Sequence, residues 1–375
     1  MAGIYIHIPF CRHICSYCDF YSTASSAMRK PMLEALLYEL ELRRDYLGDE
    51  PVKTLYIGGG TPTVYRPHEL QRLADKVKEV WRVSDFREFT VEANPEDLTP
   101  DYIAALRDTD AGRLSIGIQS FADEHLAFMR RGHTAEQAIR AVKDAVRAGF
   151  SDISIDLIYA VPGMSPAQWR DNIRRAFSLG VQHISAYHLT IEEHTLLGNR
   201  AKRGLFEPVA DSVSREHYDI LEEEMDKAGF IHYEVSNFAS EERFMALHNT
   251  NYWKGIPYLG AGPSAHSYNL VSRQWNVASN KLYLESLYGG GSFYEKEELS
   301  LQDRYNEYVM TALRTMWGVD TDTVRERFSP AMADYLEKQA APFVKQGMLV
   351  SGGSRLYIPS GQFLISDYII SHLFI

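Results

Sequence analysis

The sequence predicts an α/β fold built on a parallel sheet, and three observations lead there. Six β-rich runs alternate with longer helical patterns through the first half of the chain. Such alternation gives parallel strands joined by right-handed crossovers, in an open doubly wound sheet or in a barrel. Residues of unusual chemistry recur at or just beyond the ends of five of these runs, and in such folds the carboxyl ends of the strands face the functional side.

Ile4-Tyr5-Ile6-His7-Ile8 reads as the first strand, and Leu33, Leu36, Leu37, Leu40 and Tyr46 give Pro31 to Tyr46 near-helical spacing. The second strand, Thr54-Leu55-Tyr56-Ile57, runs into Gly58-Gly59-Gly60, and a helix follows over Pro67 to Trp81. Glu88 to Glu92 is the third strand, followed by a helical Pro100 to Arg107. Arg113 to Ile118 is the fourth, followed by a helix over Ala135 to Ala148. Asp152 to Leu157 and His183 to Tyr187 complete the six, with a helical Pro166 to Leu179 between them. Cys11 follows the first strand, Gly58 to Thr61 the second, and Glu92 and Asn94 end the third. Gln119 follows the fourth, and Asp156 lies late in the fifth. Any one of these alone reads as a loop or cap residue; five in one topological position point to a site.

The chain changes character near Gly289-Gly290-Gly291-Ser292. Beyond it, Asp303 to Trp317, Asp320 to Phe328 and Pro330 to Gln346 carry helical patterns, and Gly347 to Ile358 reads as a hairpin with a glycine turn. Helices followed by a hairpin suggest a small winged-helix-like α+β domain. The expected organisation is residues 1–200 for the sheet and its site, 201–290 for a connecting region, and 291–375 for the C-terminal domain. Residues 301–375 hold seven Lys/Arg against eight Asp/Glu, which does not suit a nucleic-acid reader. A cap over the main domain or a protein contact fits better.

A formal net charge of −11 also argues against a phosphate-backbone partner. Hydrophobic content of 45% and charged content of 24% are ordinary for a soluble globular protein. The N-terminus lacks the basic leader and apolar core of a secretory signal, and no apolar stretch reaches the ~20 residues of a membrane helix. With unpaired thiols, this predicts no transmembrane segment and a cytoplasmic location. A homodimer is compatible with the sequence.

All three cysteines stand in the pattern Cys11-x3-Cys15-x2-Cys18. The odd count and tight spacing exclude a disulfide framework. A cubane iron–sulfur cluster used for electron transfer takes four thiolates; three leave one iron with a vacant position. Zinc, with His7 or His13 as a fourth ligand, is the competing reading, but zinc ligands more usually come as two separated pairs. An open iron needs a chelating ligand. Gly58-Gly59-Gly60-Thr61-Pro62 lets the backbone approach an amino or carboxylate function closely. It is not a phosphate loop, because no Gly-Lys-Ser/Thr follows.

A C-x3-C-x2-C loop after a first strand, with a glycine motif after a second, resembles the radical S-adenosylmethionine (SAM) superfamily. That resemblance implies a partial (β/α)6 barrel in which Cys11, Cys15 and Cys18 hold a [4Fe–4S] cluster and the methionine moiety of SAM chelates the fourth iron. Gly3 to Cys11, Gly58 to Thr63, Ser115 to Phe121 and Asp156 to Tyr159 are similar to the group around oxygen-independent coproporphyrinogen III oxidase. By motif position, Tyr5, Gly59, Gly60, Thr61, Glu92, Gln119, Arg131 and Asp156 would line the cofactor site, with Arg130 able to exchange roles with Arg131. Phe20 stands where the oxidase has a further cysteine, and there is no room before Cys11 for the oxidase's N-terminal extension.

His248-Asn249-Thr250-Asn251-Tyr252-Trp253 matches H-N-x-x-Y-W, which resembles the heme-binding motif of the HemW group of heme chaperones. Tyr233 to Ala239 and Gly260 to Tyr268 are similar to that group as well. The resemblance implies a chaperone that binds heme and passes it to apo-hemoprotein acceptors. The alternative is a radical SAM enzyme that oxidatively decarboxylates a porphyrinogen. Imidazole is the usual axial ligand of heme iron, which makes His248 the expected heme residue and His266 its competitor. Read without the family, His248 and Asn249 anchor a loop while Tyr252 and Trp253 fill a core gap. No CxxCH run is present, so c-type attachment is excluded and heme b is expected.

Overall fold

In the computed structural model, which describes residues 1–375, alternation along the strands decides the architecture. In β1 (Ala2–Ile8), Ile4, Ile6 and Ile8 are fully buried, while Tyr5 and His7 face the other way. The same division runs through β2 (Val52–Gly59), β3 (Glu88–Ala93), β4 (Arg113–Gln119), β5 (Ile153–Tyr159) and β6 (His183–His188). Leu55, Ile57, Val91, Leu114, Ile116, Ile155 and Ile184 belong to the hydrophobic core. Tyr56, Thr90, Glu92, Arg113, Ser115, Ser154, Asp156, His183 and Ser185 line a polar interior instead. The six strands are consecutive and parallel, as the alternation predicts.

The helices cover the aliphatic face. They are α1 (Arg29–Leu42), α2 (Pro67–Trp81), α3 (Pro100–Arg107), α4 (Asp123–Phe128), α5 (Ala135–Arg147) and α6 (Pro166–Ser178). Ala138, Ala141, Val142 and Ala145 make the buried stripe of α5, and its first turn is closed by a Thr134–Gln137 capping box. A Ser165–Gln168 box with Pro166 at the first position starts α6, which buries Trp169 completely. α7 (Leu196–Lys202) and α8 (Asp211–Lys227) follow, and α8 packs on α6.

β1 and β6 do not pair with each other, so the barrel stays open. The sheet grows outward at both edges to twelve strands. β7 (Ile231–Glu234) and β8 (Asn237–Ala239) add antiparallel beyond β6. After α9 (Leu247–Trp253), β9 (Tyr258–Ala261) pairs parallel with β1, and β10 (His266–Tyr268), β11 (Ser272–Asn276) and β12 (Tyr294–Glu298) extend that edge. α10 (Asn280–Gly289) lies between the last two. One carboxylate secures this edge. Buried Glu39 of α1 accepts from Gly262 N at 2.7 Å, Asn276 Nδ2 at 2.8 Å and Tyr283 OH at 2.5 Å. Arg43 balances its charge at 3.4 Å.

The C-terminal part holds α11 (Leu301–Leu313), α12 (Thr321–Arg327), α13 (Pro330–Lys345) and α14 (Ser366–Ser371). A small sheet of β13 (Val319–Asp320), β15 (Arg355–Tyr357) and β14 (Val350–Gly352) completes it, in that order. This is the small α+β domain with a hairpin that the sequence predicts. No helix is long and apolar enough to cross a membrane.

Candidate functional site

The carboxyl ends of the strands converge on one cavity of about 460 Å³. Cys11, Cys15 and Cys18 line it, and all three thiols are free and half-buried. Burial raises the Cys11 thiol and pushes Cys18 up to about 11, so a bare trio of thiolates is unfavourable without a cation. No three His, Cys, Asp or Glu side chains converge tightly enough to hold a metal ion. His7 is spent elsewhere: its Nδ1 bonds Tyr5 OH at 3.0 Å and its Nε2 bonds Tyr21 O at 2.8 Å.

Gly60 shapes the cradle. A Cβ there would stand 2.6 Å from Phe10 O, 2.8 Å from Ile8 O and 3.0 Å from Cys11 Sγ. A relay of side chains then ties two thiols together. Thr61 Oγ1 donates to Cys11 Sγ at 3.4 Å and accepts from Asn94 Nδ2 at 2.9 Å. Arg131 Nη2 donates to Asn94 Oδ1 at 2.5 Å, while its Nη1 donates to Cys15 Sγ at 3.3 Å. The neighbouring Arg130 is exposed and takes no part. Donors on the sulfurs and a rigid backbone pocket fit a thiolate-bound cluster.

Two half-buried carboxylates form the far wall. Glu92 accepts from Tyr56 OH at 2.6 Å and from Gly59 N at 3.0 Å. Burial nevertheless pushes it up to about 7, with the negative charge of Asp156 adding to the rise. Asp156 is likewise raised to about 6 by burial. Gln119 ends β4 in the left-handed region, at φ +68°, after an irregular register step that turns its side chain into the cavity.

Of the residues expected from sequence, the three cysteines, Gly59, Gly60, Thr61, Glu92, Gln119, Arg131 and Asp156 come together on this cavity. Tyr5 does not line it, and reaches it only through His7, against which a Cβ on Gly59 would strike at 2.4 Å. Sequence reasoning marked Asn94 at the end of the third strand without assigning it to the cofactor lining, and left Ser115, Tyr187 and His188 unassigned. The strand-end rule that gave the others also covers Asn94, Tyr187 and His188.

His248 lies on the opposite side of α9. It is buried, with Nδ1 bonded to Thr54 Oγ1 at 2.8 Å and Nε2 to Tyr252 OH at 2.7 Å. Its ring stacks on Tyr56 at 5.2 Å between centroids. Burial lowers it to about 3, so it is neutral at pH 7, and both nitrogens are occupied. Gly3 makes room for it, since a Cβ there would lie 3.1 Å from the imidazole. The amides of Leu247 and His248 donate to Glu88 at 2.6 and 2.9 Å and fix the start of the helix. Asn249, Tyr252 and Trp253 line a second cavity, of about 560 Å³, together with Arg314 and Phe363. Tyr187, His188 and Thr190 are walls of both cavities. His266 is exposed on β10 and stacks on Trp275.

The Radical SAM superfamily model matches residues 5–176, and the HemN C-terminal domain model matches residues 299–360. The heme chaperone HemW of Mycobacterium tuberculosis is 34% identical over 99% of this chain and 94% of its own. The heme chaperone HemW of Lactococcus lactis is 32% identical over 97% of this chain and 94% of its own. The structure of the coproporphyrinogen III oxidase HemN from Escherichia coli, a radical SAM enzyme, superposes with a TM-score of 0.83 at 22% identity. That superposition covers 99% of this chain and 89% of the oxidase, and it establishes the shared fold. By sequence over nearly its whole length, the chain belongs to the HemW family of the radical SAM superfamily.

Proposed function

We propose that this protein binds heme and hands it to apo-hemoproteins, with a [4Fe–4S] cluster and SAM held in the strand-end cavity. The convergence of three free thiols, the Gly59-Gly60-Thr61 cradle and the Glu92–Asp156 wall on one cavity carries the cofactor part of this reading. The names of the relatives support the heme part. When bound, the cluster and SAM supply one-electron chemistry at a site open on one side. Cys11, Cys15 and Cys18 would hold the cluster. Thr61, Asn94 and Arg131 would fix two of the sulfurs and offset their charge.

Glu92 and Gly59 are placed to orient an amino or carboxylate function, and Gln119 and Asp156 to hydrogen-bond hydroxyl or carboxylate oxygens. Tyr5 acts behind them by steadying His7. The H-N-x-x-Y-W segment contributes the open faces of Asn249, Tyr252 and Trp253 to the heme side, while His248 braces the segment from the barrel interior. In this reading the chain divides at about residues 200 and 290 into cofactor barrel, heme-motif segment and C-terminal domain. It works in the cytoplasm.

The test is anaerobic purification with iron, sulfide and heme quantitation, followed by two assays. Hemin added to the protein should produce a Soret band, and the loaded protein should activate an apo-hemoprotein. Coproporphyrinogen given with SAM and a reductant should stay unconverted. Robust protoporphyrinogen formation would overturn the chaperone reading in favour of a porphyrinogen decarboxylase.

A further inference from the structure

A heme carrier needs an imidazole that the iron can reach, and His248, with both nitrogens bonded and 1% exposed, does not offer one in this fold. His266, the other histidine near the motif, lies outside the cavity that Asn249, Tyr252 and Trp253 line. One histidine does line that cavity. His188 ends β6 on the wall shared with the thiol-lined cavity. Its Nε2 bonds Ser214 Oγ on α8 at 2.9 Å, and its Nδ1 has no protein partner. Tyr159 meets the ring edge-on at 5.4 Å and limits its swing.

We propose that the macrocycle of heme occupies the 560 Å³ cavity between the barrel rim and the C-terminal domain, with His188 as the protein ligand to its iron. This rests on the heme reading above and adds the site and the ligand to it.

Metal-bound imidazoles characteristically fix their second nitrogen in a hydrogen bond, which sets the tautomer and the ring plane. Ser214 supplies that bond, which leaves the Nδ1 lone pair for iron. The volume is of the size that holds cofactor-sized ligands, roughly 300–1,000 Å³. Its walls carry flat apolar surface, from Tyr252, Trp253 and Phe363, for a porphyrin face. Arg314 is the single Lys or Arg among the lining residues. It pairs with the exposed Asp367 at 2.5 Å and could exchange that carboxylate for a propionate. Asn237, buried in the same wall, has its Oδ1 without a partner. The placement sets the cargo beside the cluster cavity, with Tyr187, His188 and Thr190 between them.

The experiment is hemin titration of the anaerobically prepared full-length protein, read by the Soret band and by electron paramagnetic resonance. His188→Gly should weaken hemin binding at least tenfold and change the spin state, and added imidazole should restore the wild-type spectrum. His266→Ala should leave both spectrum and affinity alone. A His188→Gly protein with the wild-type spectrum and affinity overturns this assignment while leaving the heme reading intact. A spectral change that imidazole does not rescue also overturns it, because it marks His188 as a packing residue. A wild type that gives no Soret band overturns the heme reading itself.

Discussion

Replacing His248 by Ala separates a packing role from a ligand role, and the structure sets the size of the effect. The substitution empties a fully enclosed ring site and leaves two buried hydroxyls, of Thr54 and Tyr252, without their partner. Each lost hydrogen bond costs about 1 kcal/mol, and a buried ring truncated to Ala costs roughly 2–4 kcal/mol once the cavity is counted. Stacking on Tyr56 is lost as well. Together these put the destabilisation at about 5 kcal/mol near pH 7.5.

The penalty must shrink in acid. His248 is lowered by burial from 6.5 to about 3. Between those values the unfolded chain binds a proton that the folded one refuses, so this residue's contribution is complete above pH 6.5 and is lost as pH falls. At pH 4.5 two of those pH units have been given up, or about 3 kcal/mol. The difference between wild type and variant should therefore fall from about 5 to about 2 kcal/mol. Glu92 and Glu234, raised to about 7 by burial, act in the opposite direction in both proteins and cancel in the comparison. Urea unfolding of the two proteins at pH 7.5 and 4.5 measures this, and hemin titration at pH 7.5 completes it. A variant as stable as the wild type that has lost its Soret band refutes the reasoning and makes His248 the iron ligand. A pH-independent difference refutes the burial of a neutral imidazole.

Gly60→Ala should lower iron and sulfide per chain to under half, because the atoms its methyl meets are backbone carbonyls and Cys11 Sγ, which cannot give way. Gly112→Ala, where a Cβ meets nothing within 4 Å, should keep full iron content in the same assay. Cys15→Ala should abolish the iron–sulfur absorbance of anaerobically prepared protein; a surviving band would show that the ligand set is wrong. Glu39→Ala should cost about 3–5 kcal/mol, because it removes the carboxylate partner of buried Arg43 and the acceptor of Gly262 N and Tyr283 OH, and a melting temperature within a degree of the wild type would contradict the tether.

Local pattern suffices for the first six strands and their helices, because each strand presents an aliphatic row to the helices and its partners are the next strands along the chain. The strand-end rule carries over to the site for the same reason: parallel topology brings every carboxyl end to one rim. The outer strands are different. β8, β9 and β10 are three or four residues long, too short for a period to register. The edge beyond β1 is tied to Glu39, a carboxylate that sits on the buried face of α1 with Leu36 and Leu40, and an acidic residue there gives no sequence sign of the strands it holds. The seat of His248 is equally silent in sequence, since its partner Thr54 lies 194 residues away. The third limit is directional. A motif gives residue types in order but not which side of the helix each one faces.

That last point bears on how the H-N-x-x-Y-W segment works. In seven residues, α9 turns His248 inward to Thr54 and Tyr56, while Asn249 and Trp253 face the outer cavity. Tyr252 joins the two sides, with its hydroxyl on His248 and its ring on the cavity wall. On the inner side the contacts continue from His248 through Tyr56 to Glu92 and the Gly59 amide. A ligand pressing on Trp253 or Tyr252 thus bears on the residues that shape the cofactor wall through fewer than five packed groups. Under the proposed function, any coupling along this path is reciprocal: filling the cofactor site would change heme affinity by the same factor as heme changes that occupancy, and hemin titration with and without SAM measures the factor.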